Sequence, residues 1–119
     1  MLVVDGNNVM GSRPDGWWKD RAGAARRLVE QIGEWAGEDL LVYFDGAEPP
    51  AMPAPEHVEV RFATRRGRDA ADDDIAAFVS AHPTPGELLV VTSDAELARR
   101  VRERGARVEG ARWLLDRLP

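Results

Sequence analysis

The residues best suited to chemistry are aspartates that follow apolar runs. Asp5 directly follows Leu2–Val4, and Asp45 directly follows Leu40–Phe44. Asp94 follows Leu88–Val91 after only Thr92 and Ser93. Asp69, Asp72, Asp73 and Asp74 open the segment Asp69–Ala81. Carboxylates a few ångströms apart repel one another and resist ionisation. A divalent cation removes that penalty and is held by the same oxygens. Once bound, it can activate a water for attack on phosphorus and stabilise the leaving oxygen. The chain has no cysteine, and its two histidines are His57 and His82. The ligands must therefore be mainly oxygen, which favours Mg²⁺ or Mn²⁺. Such a set suits metal-assisted phosphodiester hydrolysis better than zinc chemistry.

Each acid also has a purely structural explanation. Ser93-Asp94-Ala95-Glu96 is a capping box if Ser93 is the N-cap, which makes Asp94 a first-turn acid favoured by the helix dipole. Asp69 is an equally good N-cap, with Asp72 at the third position. Asp45-Gly46 is a turn dipeptide. Asn8 reads either as a turn residue or as an amide that steadies Asp5 or a bound water.

The elements that must position these acids are legible from periodicity. Leu2–Val4, Leu40–Phe44, Leu88–Val91 and Arg107–Glu109 read as strands, mostly with the continuous apolarity of a parallel sheet covered on both faces. Val58–Phe62 alternates instead, as a half-exposed or edge strand does. Lys19–Ala36, Asp69–Ala81, Asp94–Arg104 and Ala111–Leu118 read as helices, and Gly105 stands where a glycine ends the third. Gly11–Gly16 and the proline-rich stretch from Glu48 to Pro55 read as loops. Strands alternating with helices predict an α/β fold, a three-layer α/β/α sandwich with a mostly parallel central sheet. With 119 residues and no domain-sized linker, the expectation is a single domain over 1–119.

Ligands of an open parallel sheet bind outside the carboxyl ends of its strands. Asp5, Asp45 and Asp94 are delivered to that edge. The acidic helix start joins them only if Val58–Phe62 also runs parallel. At about 100° per residue, the apolar stripe of Asp69–Ala81 centres on Ala71, Ile75 and Phe78. Asp72 and Asp74 flank that stripe, either one able to serve as the inward ligand, while Asp73 points away.

In order and placement, Val4-Asp5-Gly6-Asn7-Asn8-Val9, Phe44-Asp45-Gly46, Ala71-Asp72-Asp73-Asp74-Ile75 and Val91-Thr92-Ser93-Asp94 resemble the NYN domain, in particular its YacP-like branch within the PIN-like nuclease superfamily. The likeness extends to Glu96-Leu97-Ala98 and Gly105-Ala106-Arg107-Val108. It implies a Rossmann-like sheet, dependence on Mg²⁺ or Mn²⁺, and endonucleolytic cleavage of RNA. Carried over by motif, Asp5, Asp72 and Asp94 are the core catalytic ligands, and Asp45 is a supporting acid. Asn8 matches the asparagine of Asp-Gly-x-Asn, and Thr92 and Ser93 support the third acid. Asp72 is preferred because Asp-x-x-Ile fits Asp72 with Ile75. The family pattern also has an acidic or polar residue where Asp73 stands, which adds Asp73 to the ligand set against its helical position.

The formal charge of −5 gives no general attraction to nucleic acid. Arg65, Arg66 and Arg68 precede the acidic cluster and could contact RNA phosphates. Arg99, Arg100, Arg102 and Arg104 read as a solvated helix face. Trp17-Trp18 could stack on bases, pack as a lid, or form a homodimer contact, whereas Trp35 and Trp113 fall on apolar stripes. The start lacks the basic and long apolar regions of a signal peptide, and no stretch approaches the roughly 20 apolar residues of a membrane span. The expected setting is the cytoplasm, with no membrane partner. The competing reading is an inactive RNA-binding or interaction domain on the same fold. A dinucleotide site is excluded by the lack of G-x-G-x-x-G after Val4, and Asn7 stands where a haloacid-dehalogenase-type site needs its second acid.

Overall fold

The structure is a computed structural model and describes residues 1–63, 67 and 69–119. Five strands form one all-parallel sheet: β1 (Leu2–Asp5), β2 (Leu40–Phe44), β3 (Val58–Phe62), β4 (Leu89–Val91) and β5 (Arg107–Glu109), in the spatial order β3-β2-β1-β4-β5. The expected α/β sandwich is present. Val4 pairs with Val42 on one side and Val91 on the other, so β1 is the central strand. β3 lies at an edge, and its alternating burial matches its alternating sequence.

Helices α1 (Gly6–Gly11), α2 (Arg21–Trp35) and α5 (Ala111–Leu115) cover one face, where Val9, Leu28, Val29, Ile32 and Leu114 pack against Val4, Val42 and Phe44. Helices α3 (Ala70–Ala81) and α4 (Ala95–Glu103) cover the other, where Ile75, Val79, Leu97 and Val101 meet Val3, Leu41 and Val90. Trp35 and Trp113 pack edge to face at 6.1 Å beside the first of these clusters, as their stripe positions predict.

One element departs from expectation, and one expected loop takes an unusual place. The segment after Asp5 is not a turn but the short helix α1, which begins at once because Asp5 itself caps it, accepting from the Asn8 amide. The proline-rich stretch replaces a crossover helix between the parallel strands β2 and β3. It runs over α2, where Arg26 donates to the Ala51 carbonyl and His57 Nε2 lies 3.1 Å from the Gly33 carbonyl. Parallel neighbours need a connection of about a dozen residues or more, and this one meets the need without regular structure.

Candidate active site

The chain turns back at β1. Strands β2 and β3 extend the sheet to one side, and β4 and β5 to the other. The carboxyl ends of β1 and β4 therefore flank a topological switch point, where open parallel sheets bind ligands. Asp5 ends β1, Asp45 follows β2, and Asp94 caps α4 just beyond β4. Because β3 is parallel to β2, α3 starts at the same edge.

Asp5 is buried, with 3% exposure. Thr92 Oγ1 donates to its Oδ2 at 2.8 Å, and the Asn8 amide donates to its Oδ1 at 3.4 Å. Burial outweighs these two bonds, and the charges of Asp45 and Asp94 add to it, so the carboxyl is pushed up to about 6. Asp72 lies in the first turn of α3 and meets no hydrogen-bond donor among the described residues. Burial, then the charges of Asp5, Asp94, Asp69 and Asp45, push it up to about 7. These mutual effects put Asp5, Asp45, Asp72 and Asp94 in one electrostatic cluster.

Two consecutive asparagines hold the edge together. Asn7 Oδ1 accepts from the Asp45 amide at 2.6 Å, and Asn8 Oδ1 accepts from the Ser93 amide at 2.8 Å. The first turn of α1 thus latches the ends of both strands that flank β1. Thr92 adds a third link, since its hydroxyl also accepts from the Asp94 amide at 3.1 Å. Asn7 was not among the sequence candidates. Its adjacency to Asn8 is the only signal for it, and that pair looks like a turn.

The caps differ from expectation. Asp94, not Ser93, is the N-cap of α4, with Oδ1 accepting from the Leu97 amide at 2.9 Å. Ser93 Oγ instead accepts from the Ala111 amide at the start of α5. Asp69 occupies the cap position of α3 in a left-handed conformation (φ 63°) and makes no side-chain cap. Asp45 Oδ1 takes over, accepting from the Ala71 amide at 2.7 Å. An acid from β2 thereby fixes the start of the helix that carries Asp72. Asp73 does not point into open solvent: its Oδ1 pairs with Arg100 Nη1 of α4 at 2.8 Å.

Among the described residues, no group of three or more Asp, Glu, His or Cys side chains is arranged to hold a metal ion. Asp94 and Asp45 each turn one oxygen to a helix amide, which holds them as caps. The donor set nevertheless suits a hard cation. It is all oxygen, Oδ2 of Asp45 and of Asp94 lies outside those cap bonds, and burial together with the neighbouring carboxylates makes Asp5 and Asp72 resist ionisation, a penalty a bound cation would relieve.

Arg65, Arg66 and Arg68 lie outside the described residues. Arg99 pairs with Glu96 and Glu103 along α4, an exposed ladder as expected. Trp18 is 60% exposed, and Trp17 meets it edge to face at 6.0 Å. No described helix is long and apolar enough to cross a membrane.

The sequence profile of the YacP-like NYN domain matches residues 2–119. The fold is similar to two crystal structures of Rae1 (YacP) from Bacillus subtilis, one of them a tryptophan-to-leucine mutant. The mutant superposes with a TM-score of 0.77 at 26% identity, over 97% of this chain and 72% of that one. The other gives 0.77 at 25% identity, over 98% and 71%. No curated protein matches in sequence.

Proposed function

Since the chain belongs to the YacP-like NYN domain family, a nuclease family of PIN-like type, we propose that it is a metal-dependent endoribonuclease that hydrolyses RNA phosphodiester bonds at the carboxyl edge of its sheet. The observation that carries this reading is the electrostatic coupling of acids from separate elements at the switch point, with Asp5 raised to about 6 and Asp72 to about 7. Capping alone accounts for one oxygen each of Asp5, Asp45 and Asp94; it does not account for four acids from separate elements gathered closely enough to oppose one another's ionisation.

In this reading Asp5, Asp72 and Asp94 hold Mg²⁺ or Mn²⁺, with Asp45 and Asp73 as supporting acids. When bound, the ion neutralises the cluster and the incoming phosphate and activates water for attack on phosphorus. Thr92 keeps the Asp5 carboxylate in one orientation through its 2.8 Å bond. Asn8 and Ser93 join β1 to the Asp94 turn, and Asn7 joins β1 to Asp45. Arg65, Arg66 and Arg68, just ahead of the acidic helix in sequence, are suited to RNA phosphates. The activity belongs to one domain, residues 1–119, working on RNA in the cytoplasm.

The alternative is an RNA-binding domain on the same fold that no longer cuts, with Asp45 and Asp94 serving as helix caps. Incubation with mixed single-stranded and structured RNA in Mg²⁺, Mn²⁺ or EDTA separates the two. The nuclease reading expects cleavage with either metal and none in EDTA. RNA binding without cleavage under Mn²⁺ would instead establish the alternative.

A further inference from the structure

A groove of about 780 Å³ opens beside Asp45, on the side of the sheet away from Asp94. Met10, Phe44, Met52 and Phe62 give it apolar walls, and Arg21 and Asn7 give it polar ones. Phe62 stacks on Phe44 with centroids 5.7 Å apart and planes 26° from parallel. The buried Phe44 therefore backs and orients the half-buried Phe62. Asn7 has its carbonyl oxygen committed to the Asp45 amide, which leaves its NH₂ as a donor. Arg21 occupies the first turn of α2, where the helix dipole disfavours a cation. Its guanidinium lies 5.6 Å from the Trp17 ring centroid, an aromatic face that steadies it.

We propose that this groove is a nucleobase subsite. It takes the base of a nucleotide adjoining the scissile phosphate, with the ring against Phe62 and Met52 and a backbone phosphate on Arg21. This rests on the endoribonuclease reading for its substrate and extends it to a specificity determinant. A flat apolar wall, one amide donor and one cation match a nucleotide. A purely apolar protein segment would leave Arg21 and Asn7 without partners. The groove adjoins Asp45, so a base held there keeps its own phosphate near the acids.

The test is fluorescence anisotropy of a labelled single-stranded RNA of about ten nucleotides, in EDTA so that cutting does not interfere. Wild type is compared with Ala47→Trp, which fills the groove from an exposed lining position, and with Arg21→Ala. Thermal melts check that both variants fold. Loss of the stacked base in Ala47→Trp, or of the phosphate contact in Arg21→Ala, should each weaken binding about tenfold. Cleavage under Mn²⁺ by Ala47→Trp should show a raised KM, a nearly unchanged kcat and an altered base preference beside the cut. Variants that bind RNA within twofold of wild type would overturn the subsite, as would unaltered KM and base preference. Wild type that fails to bind RNA, or a groove emptied of RNA by an apolar peptide alone, would overturn it too. Wild type that binds RNA through the groove but never cuts it would overturn the nuclease reading and leave the subsite standing.

Discussion

Replacing Asp5 by asparagine should stabilise the protein, and by an amount that grows with pH. The Asp5 carboxyl titrates near its ordinary 3.8 in the unfolded chain and near 6 in the folded one. Below about pH 3 both states hold the proton, and the group has no differential effect. As pH rises from there to about 6, the unfolded chain releases a proton that the folded protein retains, and stability falls. Above that range the buried charge costs about 3 kcal/mol, at about 1.36 kcal/mol per pH unit between the two values. Asparagine is nearly isosteric and can still accept the Thr92 hydroxyl, but it never ionises. The advantage of Asp5→Asn over wild type should therefore widen by about 2.5 kcal/mol between pH 4 and pH 8, and the melting midpoints should separate by roughly 10 °C. Removing the Asp5 charge also eases ionisation of Asp72, which acts in the same direction. Urea unfolding of both proteins in EDTA at pH 4, 6 and 8 measures the gap. A gap that stays constant, or narrows as pH rises, would refute the buried, uncompensated charge.

Three further outcomes follow from the same edge. Thr92→Val keeps the shape but strips the donor from Asp5 Oδ2 and the acceptor from the Asp94 amide. It should cost about 1–3 kcal/mol in urea unfolding at neutral pH, and a loss under 0.5 kcal/mol would contradict the hydroxyl bridge. Gly6→Ala should destabilise by about 1–3 kcal/mol, because an added Cβ would stand 2.5 Å from Phe44 Cε1 and 2.7 Å from the Tyr43 carbonyl oxygen; a thermal melt matching wild type would show that β1 and β2 separate freely at this point. Mn²⁺ binding should weaken as pH falls through about 7 and then 6, where protons compete for Asp72 and Asp5. Calorimetry in buffers of different ionisation enthalpy should register proton release on binding near pH 7, and binding without proton release would place the ion elsewhere.

The aspartates of the site were readable because strand ends are readable. Continuous apolarity marked β1, β2 and β4 as buried parallel strands, and each was followed at once or nearly so by an acid. The single condition attached to α3, that β3 run parallel, is met. What periodicity could not reveal were hydrogen bonds between residues distant in sequence. Asp45 caps a helix 26 residues onward, which displaces Asp69 from the role its position suggests. Ser93 and Asp94 are adjacent candidates for one cap, and the choice turned on Ser93 being engaged by α5, which sequence spacing does not encode. Gly6-Asn7-Asn8 has poor intrinsic helix propensity. Helix α1 forms there through tertiary support: Val9 and Met10 are buried, and both asparagine side chains are tied to neighbouring strands. Asp73 fell outside the apolar stripe, as its angle required, and found a partner in α4 instead of water.

In the proposed mechanism Asp5, Asp72 and Asp94 act together through a divalent ion to cut RNA. The most direct measurement is the single-turnover cleavage rate of one labelled RNA against Mn²⁺ concentration, for wild type, Asp5→Asn, Asp72→Asn and Asp94→Asn, with the exposed Asp116→Asn as control. Wild type and the control should cleave with Mn²⁺, and each of the three site variants should lose at least about 100-fold. Cleavage by wild type that persists in EDTA, or an Asp72→Asn protein that cuts as fast as wild type, would contradict this mechanism.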